Sequence, residues 1–380
     1  MTALELFAGG GGLAMALSQT GFETTRVVEW DRWACKTLMG NRELLNCRHE
    51  GPIEPTDVRA VRFAEFAGRV DIVTGGPPCQ PFSLGGKHQA YDDRRDMFPQ
   101  AIRALREARP KAFMFENVKG LTRAAFQHYL EYIQIQLAYP GIEKREKEEW
   151  TDHRRRLEQH HTAHRETALE YRVVSRVVNA ADYGVPQRRE RLIMVGIRAD
   201  LNLEWCFPEP THSLASLVNE QWHGTYWERH GVNPRTELLT IPAVRSALSR
   251  LNLDERLPWL TTRDAITDLR DVAAPPANHE FRAGARSYAG HTGSDLDMPS
   301  KTLKAGVHGV PGGENMFVKD DGTVRYFTAR EAARVQTFPD DYVFSGAWSE
   351  AMRQIGNAVP VKLAAVVTGQ LFKDLSATAA

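Results

Sequence analysis

The sequence predicts an α/β fold with a doubly wound, mainly parallel sheet and a second, smaller and less regular module. Three observations lead to this prediction. Short apolar segments alternate with helical stretches over the first 120 residues, and these segments lead into glycines or end next to an acidic residue. Beyond about residue 200 the alternation stops, and helical character returns at Ala329. A chain of 380 residues is long enough for one large domain and one small one.

Four short apolar segments in this first region are predicted as strands. They are Ala3 to Phe7, Arg26 to Glu29, Val70 to Thr74 and Lys111 to Phe115. Later, Tyr171 to Val178 and Arg191 to Ile197 also read as strands. Helical stretches between strands favour parallel pairing. Ligands of such sheets bind where the strands have their carboxyl ends, so the functional residues are expected there.

Composition narrows the classes of protein without choosing among them. Hydrophobic residues make up 42% of the chain, and we see no apolar run near the roughly 18 residues of a membrane span. The 48 basic and 48 acidic residues balance, which excludes a uniformly basic surface but not a basic face for nucleic acid. Four cysteines at irregular spacing predict neither a metal site nor a disulfide framework, and they favour a reducing, intracellular compartment.

The first strand runs into a glycine-rich turn, Leu4 to Gly12, which lets the backbone pass close to a ligand at a helix N-terminus. Glu29 follows about 20 residues later and closes the second strand, where its carboxylate can accept hydrogen bonds from ribose hydroxyls. The pair indicates an adenosine-type cofactor. It does not distinguish a nicotinamide nucleotide from S-adenosylmethionine.

Two further strand ends carry reactive side chains. Cys79 stands in a loop stiffened by Pro77 and Pro78, and its thiolate would be a strong nucleophile. Glu116 follows an apolar strand that removes water from the carboxyl group, which favours its acid form at neutral pH. The alternative interpretations are a small buried cysteine and an ordinary strand-end glutamate.

These segments together resemble the DNA (cytosine-5)-methyltransferase family of the prokaryotic and phage type. Six motifs in family order span nearly the whole chain: Leu6-Phe7-Ala8-Gly9 with Gly11-Gly12, Gly76 to Gln80, Glu116-Asn117-Val118, Gln187 to Arg191, Thr328 to Asp340, and Gln354 to Pro360. The resemblance implies a Rossmann-like S-adenosylmethionine-dependent methyltransferase domain and a smaller target-recognition domain. It also implies methyl transfer from S-adenosylmethionine to C5 of a flipped-out cytosine, through a covalent bond between Cys79 and C6.

By this resemblance the catalytic residues are Cys79, Glu116, Arg189 and Arg191, with the two arginines holding the O2 edge of the base and the Glu116 carboxylate. No metal is implied. The residues implied for the cofactor are Phe7, Ala8, Gly9, Gly11, Gly12, Glu29 (ribose), Trp30 (adenine), Asp57 (adenine amino group), Val58, Pro78, Asn357 and Ala358. Those implied for DNA are Gln80, Ser83, Lys301 and Lys304, the two lysines lying in the glycine-rich stretch Pro299 to Gly313.

The implied catalytic domain comprises residues 1–200 and 350–380, and residues 201–349 form the target-recognition domain and hinge. The highly charged stretch 141–170 is interpreted as a solvated surface helix in a peripheral insertion. Within 201–349, Arg235, Arg282, Arg286 and Tyr288 are further candidates for DNA contacts or for packing. The implied partner is double-stranded DNA, with a monomeric, cytoplasmic, nucleoid-associated protein and no membrane, and a cognate restriction endonuclease left open.

Three other functions remain as alternatives. A branch of the same family methylates tRNA and carries Cys-Phe-Thr near its recognition region, whereas this chain has Cys206-Phe207-Pro208. A non-catalytic DNA-binding regulator would have lost the cysteine, the glutamate or the arginines, and all are present. A nicotinamide oxidoreductase would leave the Pro-Pro-Cys-Gln segment and the arginine-rich run unexplained.

Overall fold

The computed structural model describes residues 1–78, 96–164, 167–248, 254–270, 276–289, 291–305 and 315–378. The four strands predicted in the first 120 residues are present, each shifted by a few residues. The strands are β1 (Thr2–Leu6), β2 (Glu23–Val28), β3 (Ile72–Gly75), β4 (Ala112–Val118), β5 (Tyr171–Asn179), β6 (Glu190–Arg198), β7 (His212–Ser213), β8 (Leu257–Pro258), β9 (Met316–Val318) and β10 (Val324–Tyr326). The helices are α1 (Gly12–Gln19), α2 (Arg32–Gly40), α3 (Phe98–Ala108), α4 (Gln127–Ala138), α5 (Trp150–Thr162), α6 (Leu214–His223), α7 (Tyr226–His230), α8 (Pro242–Leu248), α9 (Thr262–Ile266), α10 (Ala329–Val335), α11 (Trp348–Asn357) and α12 (Val361–Ala377).

The main sheet has six strands in the order β2-β1-β3-β4-β6-β5. β1 pairs in parallel with β2 and β3, and β3 pairs in parallel with β4. β6 runs antiparallel to β4. The carboxyl ends of β1 to β4 and the amino end of β6 therefore lie at one edge, as in a Rossmann-like sheet, and the predicted fold class is confirmed.

One face of this sheet is covered mainly by α3 and α4. Leu4, Val73 and Phe113 are register neighbours on three adjacent strands and belong to the same buried cluster. The apolar residues of α3 recur at spacings of three and four, which is the period of one helix face. Those of α3 and α4 that join the cluster include Phe98, Ala101, Ile102, Leu105, Ile133 and Leu137. Burial of these side chains fixes the register of the strands that carry the site residues.

The chain divides into two compact units. The first unit comprises residues 1–178, 190–207 and 367–380, and the second unit comprises 179–189 and 208–366. These boundaries differ from those of the predicted domains, since residues 179–189 and 350–366 lie in the second unit and residues 201–207 lie in the first. The second unit has its own core, with Leu217, Tyr226 and Val244 among its buried residues. Its helices α7 to α9 have only five to seven residues, which explains why the sequence pattern there reads as irregular.

The charged stretch 141–170 contains α5. Each of the three consecutive arginines 154–156 of this helix is ion-paired with an acidic side chain at 2.7 or 2.8 Å. The inner face is buried through His153 and Leu157, and the Tyr132 hydroxyl lies 2.7 Å from His153 Nδ1. Because each arginine is paired with an acidic side chain, the three arginines give the exposed side of α5 no excess positive charge. This agrees with a solvated surface helix and argues against a nucleic-acid contact.

One stretch of the described residues, Trp348–Ala377, has the length and apolar character of a membrane-crossing helix. It consists of α11 and α12, which are interrupted before Val361, and most of it is buried within the protein. Core helices commonly meet this criterion, so the stretch is weak evidence for a membrane segment.

His49 is a buried histidine that makes the stability of the first unit depend on pH. It is 3% exposed, with Nε2 3.0 Å from Arg26 Nη1, while the Val27 amide donates to Nδ1. Burial, together with the charges of Arg26 and Arg42, lowers the pKa of His49 from 6.5 to about 4. The unfolded chain therefore takes up a proton at a higher pH than the folded chain does. The contribution of neutral His49 to the stability of the folded state is fully present above pH 6.5 and is lost as the pH falls from 6.5 towards 4.

We expect a His49→Gln variant to lose less stability on acidification than the unsubstituted protein. Between pH 7.5 and pH 5, the free energy of unfolding should fall by about 2 kcal/mol less in the variant than in the unsubstituted protein. Urea denaturation followed by circular dichroism at both pH values measures it. His223→Gln, which replaces an exposed histidine, is the matched control and should retain the full pH dependence. An equal loss in the His49→Gln and His223→Gln proteins would contradict the assignment.

Candidate active site

The carboxyl edge of the sheet carries most of the predicted site residues of the first unit. Phe7 follows β1, Glu29 follows β2, and Gly76-Pro77-Pro78 follow β3. Glu116 lies near the end of β4, and Arg191 near the beginning of β6. The predicted residues Cys79, Gln80 and Ser83 lie outside the described residues.

Glu116 and Arg191 form an ion pair across two neighbouring strands, with 2.7 Å between Glu116 Oε1 and Arg191 Nε. Arg191 stands opposite Val118 in the antiparallel register of β4 and β6, so Arg191 and Glu116 are diagonal neighbours on one face. The side chains of Arg191 and Glu116 are 13% and 10% exposed, so water screens the pair only weakly. A Cβ atom built on Gly76 would lie 3.3 Å from Glu116 Oε2, which places the β3 loop directly beside the carboxyl.

The loop that leads to Cys79 is held by a residue to which the sequence analysis gave no role. The Asn117 carboxamide Nδ2 donates to the Pro77 carbonyl at 3.0 Å, and its Oδ1 accepts the Val118 amide at 2.9 Å. Pro78 is exposed, and its carbonyl accepts the Met97 amide at 3.0 Å. The buried carboxamide thus fixes the backbone two residues before the predicted nucleophile. The available signal was the polar Asn117 directly after Glu116 at the end of an apolar strand.

The glycine-rich turn is held by the carboxylate of Glu29. Glu29 Oε2 accepts the Gly9 amide at 2.7 Å, and Oε1 accepts the amides of Trp30 and Asp31. Phe7, at φ 54°, is a non-glycine residue in the left-handed region, and Gly11, at φ 84°, is the N-cap of α1. Ala8 is buried, and Gly12 begins α1. A carboxylate has about four acceptor positions, so Glu29 retains capacity for a ligand hydroxyl.

Two further predicted cofactor residues lie beside the end of β2. Trp30 is 69% exposed, an uncommon condition for an indole, which normally gains by burial. The Thr56 amide donates to the Glu29 carbonyl at 2.7 Å and so ties the segment of Asp57 to this strand. Asp57 accepts from the Arg59 side chain, which lowers the pKa of the Asp57 carboxyl, and Val58 is buried. Asp57 therefore offers an ionised acceptor on a segment that is tied to the end of β2.

Arg189 belongs to the second unit, although it precedes Arg191 by only two residues. It is 1% exposed, and its guanidinium donates to the carbonyls of Leu303, Gly356 and Ala358 at 2.8 to 3.1 Å. These contacts are with backbone, whereas the family resemblance implied a base or a carboxylate. Asn357, between two of these carbonyls, has an exposed side chain.

The residues predicted for DNA contact have mixed surroundings in the second unit. Lys304 is exposed, and Lys301 donates to the Thr292 hydroxyl at 2.9 Å. Arg282 and Tyr288 are exposed, with the Arg282 guanidinium 4.8 Å from the centre of the Trp348 ring. Arg235 instead pairs with Glu237, Asp295 and Asp297, which gives it a packing role. Residues 306–314, most of the predicted glycine-rich stretch, lie outside the described residues.

The sequence matches the profile of the family described as C-5 cytosine-specific DNA methylase over residues 1–141 and 148–373. The chain is 33% identical to the Type II methyltransferase M.PspPI of Psychrobacter over 98% of this chain and 79% of that protein. It is 30% identical to the Type II methyltransferase M.NgoMIV of Neisseria gonorrhoeae over 98% of both proteins. The unmatched residues 142–147 fall in the charged stretch.

Solved structures show the same fold. A protein described as a DNA modification methyltransferase encoded within an Escherichia coli prophage superposes with a TM-score of 0.57 at 22% identity, covering 99% of both chains. The Dnmt2 methyltransferase of Schizosaccharomyces pombe superposes with a TM-score of 0.56 at 16% identity, again covering 99% of both chains. At these identities the likeness concerns the fold alone.

Proposed function

Because the chain belongs to the C-5 cytosine-specific DNA methylase family and is a DNA cytosine-5 methyltransferase, we propose that it methylates a cytosine turned out of the double helix. The single observation that carries the proposal is the buried pair of Glu116 and Arg191 beside the loop that leads to Cys79. A stacked cytosine exposes neither its C6 atom nor its full N3 edge to such a pair. The base must therefore leave the helix before it reacts.

The chemistry assigned to the chain begins at C6 of cytosine, because C5 alone is a weak nucleophile. The Cys79 thiolate adds to C6, and the electron pair of the C5–C6 double bond shifts towards C4 and N3. Glu116 donates a hydrogen bond or its proton to N3 and so stabilises the added charge. Arg191 holds the Glu116 carboxyl in place and donates towards O2 of the base.

The family implies S-adenosylmethionine as the methyl donor, and when bound it supplies an electrophilic methyl group to C5. The C5 proton is then lost to solvent, the Cys79 thiolate is expelled from C6, and any proton held at N3 returns to Glu116, which restores the aromatic base and the free thiolate. The chain supplies a nucleophile (Cys79), an acid (Glu116) and a cation (Arg191). Each of them acts on the same covalent intermediate, which forms only when the other two are in place. Loss of any one of them should therefore cost nearly as much as loss of all three.

The residues at the ends of β1 and β2 fit an adenosine-type cofactor. The exposed indole of Trp30 offers a stacking surface, and the carboxylates of Glu29 and Asp57 offer acceptors for hydroxyl or amino groups. The set assigned to the cofactor by the family resemblance further comprises Phe7, Ala8, Gly9, Gly11, Gly12, Val58, Pro78, Asn357 and Ala358. The N-terminus of α1, where Gly11 provides no side-chain cap, suits the carboxylate of the methionine part.

The proposed partner is double-stranded DNA, with Gln80, Ser83, Lys301 and Lys304 as the assigned contacts and the second unit as the reader of the target sequence. We propose a monomeric enzyme that is located with the chromosome in the cytoplasm. The Type II relatives make a cognate restriction endonuclease the natural companion to test for.

Incubation with methyl-labelled S-adenosylmethionine and either plasmid DNA or bulk tRNA tests the proposal directly. We expect label in DNA and none in tRNA, and no label in DNA with a Cys79→Ser variant that still binds the cofactor. Bisulfite sequencing of the plasmid then identifies the methylated cytosine. Label in tRNA alone would assign the chain to the RNA branch, and cofactor binding without label in either would indicate a regulator.

A further inference from the structure

The guanidinium of Arg189 lies against the C-terminal end of α11. The last carbonyls of a helix have no intrahelical donor, and the backbone dipoles make that end negative. Arg189 Nη2 donates to the Gly356 carbonyl at 2.8 Å and to the Ala358 carbonyl at 3.0 Å. A buried cation at this place caps the helix by hydrogen bonding and by charge.

A buried glutamine acts on the same turn. Gln336 Nε2 donates to the Ile355 carbonyl at 2.7 Å and to the Ala358 carbonyl at 3.2 Å. Gln336 Oε1 accepts from the Gln187 carboxamide at 3.2 Å. The carbonyls of residues 355, 356 and 358 are therefore all held by side chains, from the segment before β6 and from the end of α10.

The backbone behind this turn is also fixed. Arg189 Nη1 donates to the Leu303 carbonyl at 3.1 Å. A Cβ atom built on Gly356 would lie 2.5 Å from the backbone atoms Lys304 C and Ala305 N, so only glycine fits here. Asn357 stands between the held carbonyls of Gly356 and Ala358, and its own side chain is exposed. Such an arrangement pre-orders one side chain for a ligand, because side-chain hydrogen bonds hold the turn that carries it.

We propose that Arg189 is a positioning residue for the cofactor: it caps α11 and thereby fixes the backbone from which Asn357 projects. The proposal rests on the proposed function, in which Asn357 contacts S-adenosylmethionine. It assigns different roles to two arginines that the motif presents together, since Arg191 holds Glu116 and Arg189 holds the turn at 355–358. Lysine cannot replace Arg189, because one ammonium group cannot reach three carbonyls in the fork geometry of a guanidinium.

The test is a double-mutant cycle on cofactor affinity, with Arg189→Lys, Asn357→Ala and the double variant compared with the unsubstituted protein. The dissociation constant of S-adenosylmethionine is measured by calorimetry without DNA. We expect each single variant to weaken binding on the order of tenfold, and the double variant to bind no more weakly than Asn357→Ala. Arg188→Met, which alters the exposed neighbouring arginine, should leave the dissociation constant unchanged.

An unchanged dissociation constant in Arg189→Lys together with a loss of methyl transfer would overturn the proposal, since it would place Arg189 at the base. Multiplicative losses in the double variant would overturn it as well, because Arg189 would then act independently of Asn357. Should Arg189→Lys unfold, Gln336→Met removes the second donor to the Ala358 carbonyl and should show the same non-additivity with Asn357→Ala; additive losses there would refute the proposal. Failure of the proposed function is recognised separately, since the unsubstituted protein would then not bind S-adenosylmethionine or not label DNA.

Discussion

Replacement of Arg191 with methionine should lower the rate of methyl transfer to DNA by a factor on the order of a thousand. Methionine retains much of the apolar stem but removes the charge that lies 2.7 Å from Glu116. The Glu116 carboxyl then loses its orientation, and the base loses a donor at O2. Single-turnover kinetics with saturating cofactor and DNA isolate the chemical step from product release.

The ion pair formed by Lys119 and Glu190 supplies a matched control for Arg191→Met. Lys119 follows β4 and Glu190 begins β6, with 2.7 Å between Lys119 Nζ and Glu190 Oε1, but both side chains are about half exposed. Glu190 and Arg191 are successive strand residues, so their side chains leave opposite faces of the sheet. Glu190→Gln should change the rate less than about threefold, because an exposed pair contributes little.

Combination of Arg191→Met with Glu116→Gln distinguishes joint action from separate action. If Arg191 acts by holding Glu116, the double variant should be about as slow as the slower single variant. Full multiplication of the two effects, or a loss below about tenfold in Arg191→Met, would contradict the assigned role.

The sequence predicted the sheet well because its strands obey a simple physical pattern. Short apolar runs that end at glycines or beside acids are what buried parallel strands require, and β1, β3 and β4 formed where this pattern occurs. The approach of Arg191 to Glu116 followed from the family resemblance. The two residues meet because β6 pairs antiparallel with β4. The alternation of strands and helices alone would have predicted parallel pairing.

The surroundings of Arg189 could not be read from residue order. The family resemblance implied that Arg189 and Arg191 act together. Strand geometry would allow this, because two residues separated by one position leave the same face of a strand. β6 begins at Glu190, however, and Arg189 lies in the preceding segment, where strand alternation does not apply. Its acceptors are carbonyls at positions 303, 356 and 358, more than 100 residues away along the chain. Every residue has a backbone carbonyl, so the sequence does not show which carbonyls accept hydrogen bonds from a side chain.

In the second unit, arginines that the sequence could not place are paired with a buried carboxylate. Arg235 was considered both for DNA contact and for packing, since a charged residue usually indicates a surface. Arg235 Nη1 donates to the fully buried carboxylate of Asp297 at 3.0 Å, which favours packing. Arg263, which is 2% exposed, donates to the same carboxylate through Nε at 2.6 Å and Nη2 at 3.1 Å. The Tyr226 hydroxyl donates to Asp297 Oδ1 at 3.0 Å. This network joins α7 and α9 to the loop at residue 297.

Substitution of Asp297 by alanine should therefore reduce the free energy of unfolding of the second unit by about 3–5 kcal/mol. The variant removes the carboxylate that accepts from two arginines and a tyrosine, and it leaves the Arg263 guanidinium buried with only Asp320 as an acidic partner among the described residues. A buried cation that loses its buried partner costs far more than a lost surface contact, because water cannot reach the groups left unpaired. Urea denaturation followed by tryptophan fluorescence reports on this unit, since Trp222, Trp227 and Trp259 pack in or against its core.

Asp320→Asn is the matched control, because Asp320 pairs with the same Arg263 at 2.6 Å but is 47% exposed. Its loss should cost about 1 kcal/mol or less, since solvent can replace an exposed acceptor and Asp297 still neutralises the arginine. The contrast tests burial, because each variant removes one of the two carboxylates that pair with Arg263, and the buried one also accepts from Arg235 and Tyr226. Equal losses in the two variants would mean that the network is held by packing around Arg263, and that the buried charge of Asp297 adds nothing to the stability of the unit.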